Sequence, residues 1–213
     1  MKSGKLFIIT GTSAVGKTTV ANGVLKKAFA KGGLSPAVGH GASPRLELGT
    51  RAGKKNLKRS LTYTSRAPRG YEKNKVDYNF ISEEEFKTKI KKLDFLEWAN
   101  NYGNLYGTNK QDISKILATG NNALVVIDIK GALNIKKKWP KKSVTIFILP
   151  ESLNQLKQRF KKRKDTQVAD IKKRLETAKW ELDQSAKCDY WVINRENKVN
   201  LTVNEILEII NKS

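Results

Sequence analysis

Gly11-Thr12-Ser13-Ala14-Val15-Gly16-Lys17-Thr18 fits the pattern G-x-x-x-x-G-K-[ST], and its flanks give the pattern meaning. Leu6 to Thr10 before it is a short apolar run with β-branched residues, and Val20, Val24, Leu25 and Ala28 after it recur at helical spacing. The stretch reads as strand, glycine turn, helix. In that setting successive backbone N–H groups surround the β-phosphate of a nucleotide, and the helix N-terminus adds partial positive charge. Lys17 reaches the β- and γ-phosphates, and the Thr18 hydroxyl is placed to coordinate Mg²⁺. A glycine turn without a nucleotide is the bland alternative.

Further along, Ala123 to Ile129 and Ser143 to Leu149 are continuous apolar, β-branched runs, as expected of strands buried on both faces of a parallel sheet. Asp128 follows Ile127 at the carboxyl edge of such a strand, where a carboxylate could serve Mg²⁺, directly or through water, or simply cap a turn. Ser82 with Glu85 and Ser152 with Gln155 form capping boxes ahead of Phe86 and Leu156. Val168 to Lys187 reads as a long helix, Tyr190 to Asn194 as a last strand and Val199 to Lys212 as a closing helix. The fold class is α/β, a parallel sheet flanked by helices.

Two stretches break the alternation. Lys58 to Tyr106 is made of short segments of antiparallel character, with turns at Pro68-Arg69-Gly70 and Asn101-Tyr102-Gly103-Asn104, and suggests an inserted β-rich subdomain. Lys31 to Lys55, rich in Gly, Ser, Pro and Ala, reads as an exposed mobile loop. It carries the single histidine, His40, which has no second metal ligand beside it and reads as solvated.

The chain has 213 residues and an apolar fraction of 38%, enough for one sizeable core. No apolar run approaches the ~20 residues that span a bilayer, and Met1 to Lys5 does not read as a signal sequence. The expectation is a cytoplasmic protein with no membrane partner. Cys188, the one cysteine, reads as a semi-buried filler. A net charge of +22 would attract any polyanion. Its lysines fall in stretches that read as solvated faces, without interleaved aromatic platforms, so nucleic-acid contact is expected to be non-specific at most.

The acceptor is written in the inserted region. Thr62-Tyr63-Thr64-Ser65-Arg66-Ala67-Pro68-Arg69, Glu72, Asp77-Tyr78-Asn79-Phe80, Phe95-Leu96-Glu97-Trp98-Ala99 and Gly103-Asn104-Leu105-Tyr106-Gly107-Thr108 resemble the guanylate kinase family segment by segment and in order. The phosphate loop, Ile127 to Ala132 and the basic stretch around Arg159, Arg163 and Arg174 extend the resemblance over nearly the whole chain except 31–55. It implies a P-loop kinase fold, with a core at 1–57, 109–150 and 176–213, a GMP-binding subdomain at 58–108 and a helical lid at 151–175. It also implies ATP and GMP as substrates, Mg²⁺ as cofactor, transfer of the terminal phosphoryl group of ATP to GMP, and a monomer or homodimer. Gly11 to Thr19 would bind ATP. Asp128 joins the GMP set by resemblance, while Lys17, Arg66, Arg159, Arg163 and Arg174 would offset charge on the moving phosphoryl group.

The chemistry of the other residues agrees. Arg66 and Arg69 around a proline-fixed turn can present two guanidinium forks to one phosphate, with Tyr78 and Tyr106 as hydroxyl donors. Guanine offers N1–H and a 2-amino group to a carboxylate, here Glu97, while its O6 needs a donor such as Thr62 or Thr108. Thr12 and Ala14 stand where the family usually has Pro and Gly, and Ala14 is hard to place if that position demands positive φ. Thr62 replaces Ser, Val126 replaces a frequent Asp, Gly70-Tyr71 reverses the usual order, and Lys162 and Lys164 flank Arg163 where glycines are common. Three other readings stand beside it: a guanylate-kinase-like interaction module without catalysis, against which the intact Gly16-Lys17-Thr18 argues; a nucleic-acid-stimulated NTPase; and a kinase for another small phosphate acceptor, which Glu97 with its hydroxyl neighbours disfavours.

Overall fold

The computed structural model of the chain describes residues 3–30, 56–101, 103–162 and 168–213. Its centre is β1 (Leu6–Gly11), with all six residues buried. Burial on both faces explains why this strand reads as an unbroken apolar run. Phe7 and Ile9 point into a core with Val20 and Val24 of α1 (Lys17–Ala30) and Val203 and Ile206 of α7 (Val199–Lys212). Leu6 and Ile8 point the other way, against Ile113 of α3 (Lys110–Ala118) and Ala132 and Ile135 of α4 (Ile129–Lys138). The period of two along one strand thus divides the helices into two layers, and each fully buried Leu, Ile or Phe contributes about 2 kcal/mol to closing them.

On one side β1 pairs in parallel with β7 (Asn122–Val126), Leu6 opposite Ala123, and on the other with β8 (Ser143–Pro150), Leu6 opposite Ser143. β2 (Leu57–Arg59) and β9 (Tyr190–Asn194) complete a five-stranded sheet of order β2-β7-β1-β8-β9. Strand order reverses at β1, so the loops at its carboxyl end open a crevice there.

The inserted sheet has the order β4-β3-β6-β5, from β3 (Tyr63–Thr64), β4 (Asn79–Phe80), β5 (Phe95–Asn101) and β6 (Asn104–Asn109). It differs from expectation in two ways. Lys58 belongs to β2 of the large sheet, and β3 pairs with β4 in parallel. α2 (Glu83–Lys91) covers the small sheet, starting at Ser82, whose hydroxyl accepts from Glu85 N at 3.0 Å. Phe86 stacks on Phe95 at 4.5 Å between ring centroids and anchors a separate small core with Leu105.

Other boundaries also shift. β7 stops at Val126, because Asp128 caps α4 and the chain must turn before it. The helix from Val168 ends at Gln184 as α6 and tightens into a 3₁₀ turn over Ser185–Lys187. α5 (Leu153–Lys162) begins where Ser152 accepts from Gln155 N, but the Gln155 side chain reaches back to Glu151 N instead of Ser152 N. The 31–55 loop, His40 and Arg163 lie outside the described residues. Among those described, no helix is long and apolar enough to cross a membrane.

Candidate active site

The phosphate loop is held by donors on its carbonyl side. Lys17 Nζ donates to Gly11 O at 2.7 Å and Thr12 O at 2.9 Å. Arg159, from α5, donates through Nη1 to Ala14 O at 3.2 Å and Val15 O at 2.9 Å. Asn194, at the end of β9, donates to Val15 O at 2.7 Å and accepts from Thr202 Oγ1 at 3.3 Å. The loop bends through Ala14 at φ 62° and Gly16 at φ 98°. Gly16 is required on space as well as conformation, since a Cβ there would sit 2.8 Å from Asn194 Nδ2. Ala14 does occupy a left-handed conformation, at a cost of about 1 kcal/mol or more that the surrounding bonds must offset.

A cleft of about 540 Å³ joins this loop to the inserted subdomain. Ser13, Ala14, Gly16, Lys17, Thr18, Thr19 and Arg159 line one side; Thr62, Arg69, Glu72 and Tyr78 line the other. Arg59 also faces it, its pKa lowered by burial against the pull of Asp77 and Tyr78.

Arg66 sits behind this wall. Its Nη2 donates to Glu72 Oε1 and Oε2 at 2.9 and 2.8 Å, its Nε to Tyr106 Oη at 3.2 Å and its Nη1 to Ala67 O at 2.8 Å. The guanidinium lies 5.7 Å from the ring centroids of both Tyr78 and Phe80. Glu72 also accepts from Arg69 N at 2.9 Å, so one carboxylate fixes the positions of both arginines. Sequence reasoning placed Glu72 in the motif without giving it this part.

Glu97 owes its place to an irregularity. The β5–β6 register shifts between Phe95 and Glu97, and the bulge turns three successive residues, Phe95, Leu96 and Glu97, inward. Thr108 Oγ1 donates to Glu97 Oε1 at 2.6 Å. Burial pushes the Glu97 pKa up to about 7; Thr108 and Lys138 oppose the rise, and Asp128 adds to it. Gly131 in the first turn of α4 makes the room: a Cβ there would come within 2.6 Å of Glu97 Oε2. Glu97 and Thr108 are buried and do not line the 540 Å³ cleft, whereas Glu97 borders a smaller pocket of about 260 Å³ with Trp98, Asn134 and Lys138.

Asp128 is the N-cap of α4, accepting from Gly131 N at 2.8 Å, and its second oxygen accepts from Asn101 Nδ2 at 2.7 Å. It therefore ties the end of β5 to the core. Arg174 lies on α6 with its guanidinium 6.0 Å from the Phe160 ring. Cys188 is buried, and burial raises its thiol pKa to about 11, in keeping with a filler.

A sequence profile of the guanylate kinase family matches residues 37–213. The chain belongs to the guanylate kinase family. It is 38% identical to the guanylate kinase of Caldanaerobacter subterraneus subsp. tengcongensis over 98% of this chain and 87% of that one. It is 36% identical to the guanylate kinase of Thermotoga maritima over 94% and 84%. The crystal structure of guanylate kinase from Anaplasma phagocytophilum shares the fold, with a TM-score of 0.72 and 24% identity over 99% of this chain and 86% of that one. The fold and family read from the linked motifs are thereby established, and with them a nucleoside monophosphate kinase.

No group of three or more His, Cys, Asp or Glu is gathered to hold a metal ion among the described residues. Mg²⁺ in kinases keeps several of its waters and is held by one or two protein ligands together with substrate phosphate oxygens. The exposed Thr18 hydroxyl at the cleft fits such a role better than Asp128, whose two oxygens are already engaged.

Proposed function

We propose that this chain transfers the terminal phosphoryl group of ATP to GMP, giving ADP and GDP. The observation that carries the reading is the single cleft walled by the phosphate loop on one side and by Thr62, Arg69 and Tyr78 on the other. A donor on the loop and an acceptor phosphate at Arg69 would face each other across it, and holding two reactants in line is most of what phosphoryl transfer needs.

In this reading Lys17 exchanges its two loop carbonyls for the β- and γ-phosphates. Arg69 and Tyr78 take the GMP phosphate, with Arg66 and Tyr106 behind them. Arg159, Arg163 and Arg174 spread positive charge over the transferring group and close the site to water. Mg²⁺, held by the Thr18 hydroxyl, phosphate oxygens and water, would offset phosphate charge. Glu97 accepts the N1 and 2-amino protons of guanine, with Thr62 and Thr108 as hydroxyl partners. Because Glu97 is buried between β5 and α4, base entry goes with a shift of the small sheet against α4.

The test is ADP production from ATP with GMP, AMP, dTMP and UMP side by side, with and without RNA. GMP should exceed the others by at least about a hundredfold in kcat/KM, because a site built to bond a substrate N–H rejects analogues lacking it. Turnover that needs RNA and ignores GMP would replace this reading with the nucleic-acid-stimulated one.

A further inference from the structure

Arg59 is the last residue of β2, and the chain passes from it through Ser60-Leu61-Thr62 into β3 of the small sheet. Its side chain lines the cleft together with Thr18 and Thr19 of α1 and with Asp77 and Tyr78 of the insert. Nη1 donates to Asn22 Oδ1 at 3.2 Å and Nη2 to Asp77 O at 3.4 Å, so one guanidinium spans α1 and the inserted turn. Both acceptors are neutral, and the second bond is long. Asp77 pulls on the guanidinium through space, but its Oδ2 accepts from Lys73 N at 2.9 Å.

A half-buried cation in a cleft is thus bonded, among the described residues, only to neutral oxygens. Burying a charge costs free energy unless an opposite charge is brought to it. A phosphate oxygen would offset that cost better than a carbonyl, through shorter, charge-assisted bonds. The phosphate of a nucleoside monophosphate brings about two negative charges at pH 7, and on its wall Arg66 already has its charge offset by Glu72 at 2.8 Å. A further cation beside Arg69 is therefore in demand. Position favours this phosphate over those of the donor. Nη2 rests on the carbonyl that precedes Tyr78, and Nη1 rests on Asn22, one helical turn beyond Thr18 and so farther from the loop amides.

We propose that Arg59 is a further binding residue for the acceptor: in the filled cleft its guanidinium leaves Asn22 and bonds the phosphate of the monophosphate, beside Arg69 and Tyr78. This role rests on the proposed transfer reaction for the existence of that acceptor, but it does not depend on which base the acceptor carries.

The experiment measures kcat and KM for GMP, AMP and ATP in Arg59→Leu, Arg59→Lys and Asn22→Ala, with circular dichroism to check folding. Leu keeps an apolar stem and removes the charge. We expect its GMP KM to rise about tenfold and kcat/KM for GMP and AMP to fall alike, with kcat within about threefold and ATP KM within about twofold. The single Lys nitrogen cannot span Asn22 and Asp77 as the fork does, but it carries a charge to the phosphate, so GMP KM should return to within about threefold of wild type. Asn22→Ala removes only the resting partner and should leave GMP KM unchanged or lower. If the Leu variant does not fold, Arg59→Gln, polar and uncharged, is measured in its place with the same expectation. A Lys variant or an Asn22→Ala variant as impaired as Leu would make Arg59 a strut between α1 and the insert, and would overturn the proposal. So would a Leu variant with wild-type GMP KM, or one whose loss falls on ATP. A wild-type protein that phosphorylates none of the monophosphates would overturn the transfer reading and this role together, whereas an active wild type beside an unimpaired Leu variant overturns this role alone.

Discussion

Thr108 donates its hydroxyl proton to Glu97 across the β5–β6 pair at 2.6 Å, inside a bulge that turns both side chains away from water. The hydroxyl stabilises the ionised carboxylate, but burial outweighs it and the Glu97 pKa stands near 7 against an ordinary 4.5. The folded state therefore binds a proton more tightly than the unfolded chain. Between pH 4.5 and about 7 its stability should fall as pH rises, by about 3 kcal/mol from this group, and no further above that window. Guanine, as a double donor, should bind the ionised form, so GMP affinity should rise through the same range. Glu97→Gln should flatten both dependences and weaken GMP kcat/KM by about 2 to 4 kcal/mol, with the GMP-to-AMP ratio shrinking. Urea titrations at a series of pH values, with kinetics on both substrates, measure this; an unchanged ratio would remove Glu97 from guanine reading.

Gly131→Ala attacks the same carboxylate from α4. A methyl 2.6 Å from Glu97 Oε2 cannot be accommodated without moving a buried side chain that Thr108 already holds. We expect GMP kcat/KM to drop by at least about tenfold while ADP affinity stays within about twofold, since the phosphate loop is untouched. Equal loss on both sides of the cleft would show that α4 itself had shifted.

Why these residues differ in legibility is a matter of range. The phosphate loop requires backbone N–H groups at fixed spacing, so it is written in eight consecutive residues. β9 and α7 were expected at Tyr190 to Asn194 and Val199 to Lys212, where they are found, because one is a short run of aromatic and β-branched residues and the other carries a helical apolar period. β2, Leu-Lys-Arg at the sheet edge, has no such period and depends on β7 for its definition. Two-residue strands such as β3 and β4 carry no pairing direction of their own. Asn194 meets Val15 across 179 residues. Asp128 was expected in the site by resemblance and is found capping α4, and its bond to Asn101 joins two segments that no local pattern connects.

Lys17→Ala should abolish transfer without unfolding the chain. The ammonium donates to Gly11 O and Thr12 O at the end of β1, while the large sheet is held by its backbone pairing and by the apolar core on both faces. Loss of a cation aimed at the transferring group is worth about 10²- to 10³-fold in kcat. Circular dichroism with ADP-coupled kinetics checks it; wild-type turnover in a folded variant would sink the phosphate-loop assignment.

Ala14→Gly should act in the opposite direction on stability. Ala14 sits at φ 62°, and glycine would relieve the left-handed strain while adding some entropy to the unfolded chain. A net gain of about 0.5 to 1 kcal/mol is expected, read as a higher urea midpoint at unchanged slope. Since Arg159 and Asn194 hold the adjoining carbonyls, kcat should stay within about twofold. A destabilised variant would mean that the Ala14 methyl packs well enough to offset its own strain.

Glu72→Gln separates the phosphate grip from base reading. Glu72 takes two bonds from one Arg66 nitrogen and a third from the Arg69 amide, and the pair is well shielded, with side chains 16% and 7% exposed. Gln keeps the size and one acceptor but loses the charge, and its amide NH₂ would face the guanidinium, donor against donor. Arg66 should swing away from Tyr106, and the turn carrying Arg69 should loosen. The expected loss is about 2 kcal/mol, roughly thirtyfold in kcat/KM, and it should fall on GMP and AMP alike if, as proposed, these residues hold the phosphate and read no base. Glu97→Gln, by contrast, should change the ratio between the two substrates. Measuring both ratios in both variants makes the distinction sharp: if Glu72→Gln shifted GMP-to-AMP preference as strongly as Glu97→Gln, the Arg66–Glu72 pair would be reading the base as well as holding the phosphate.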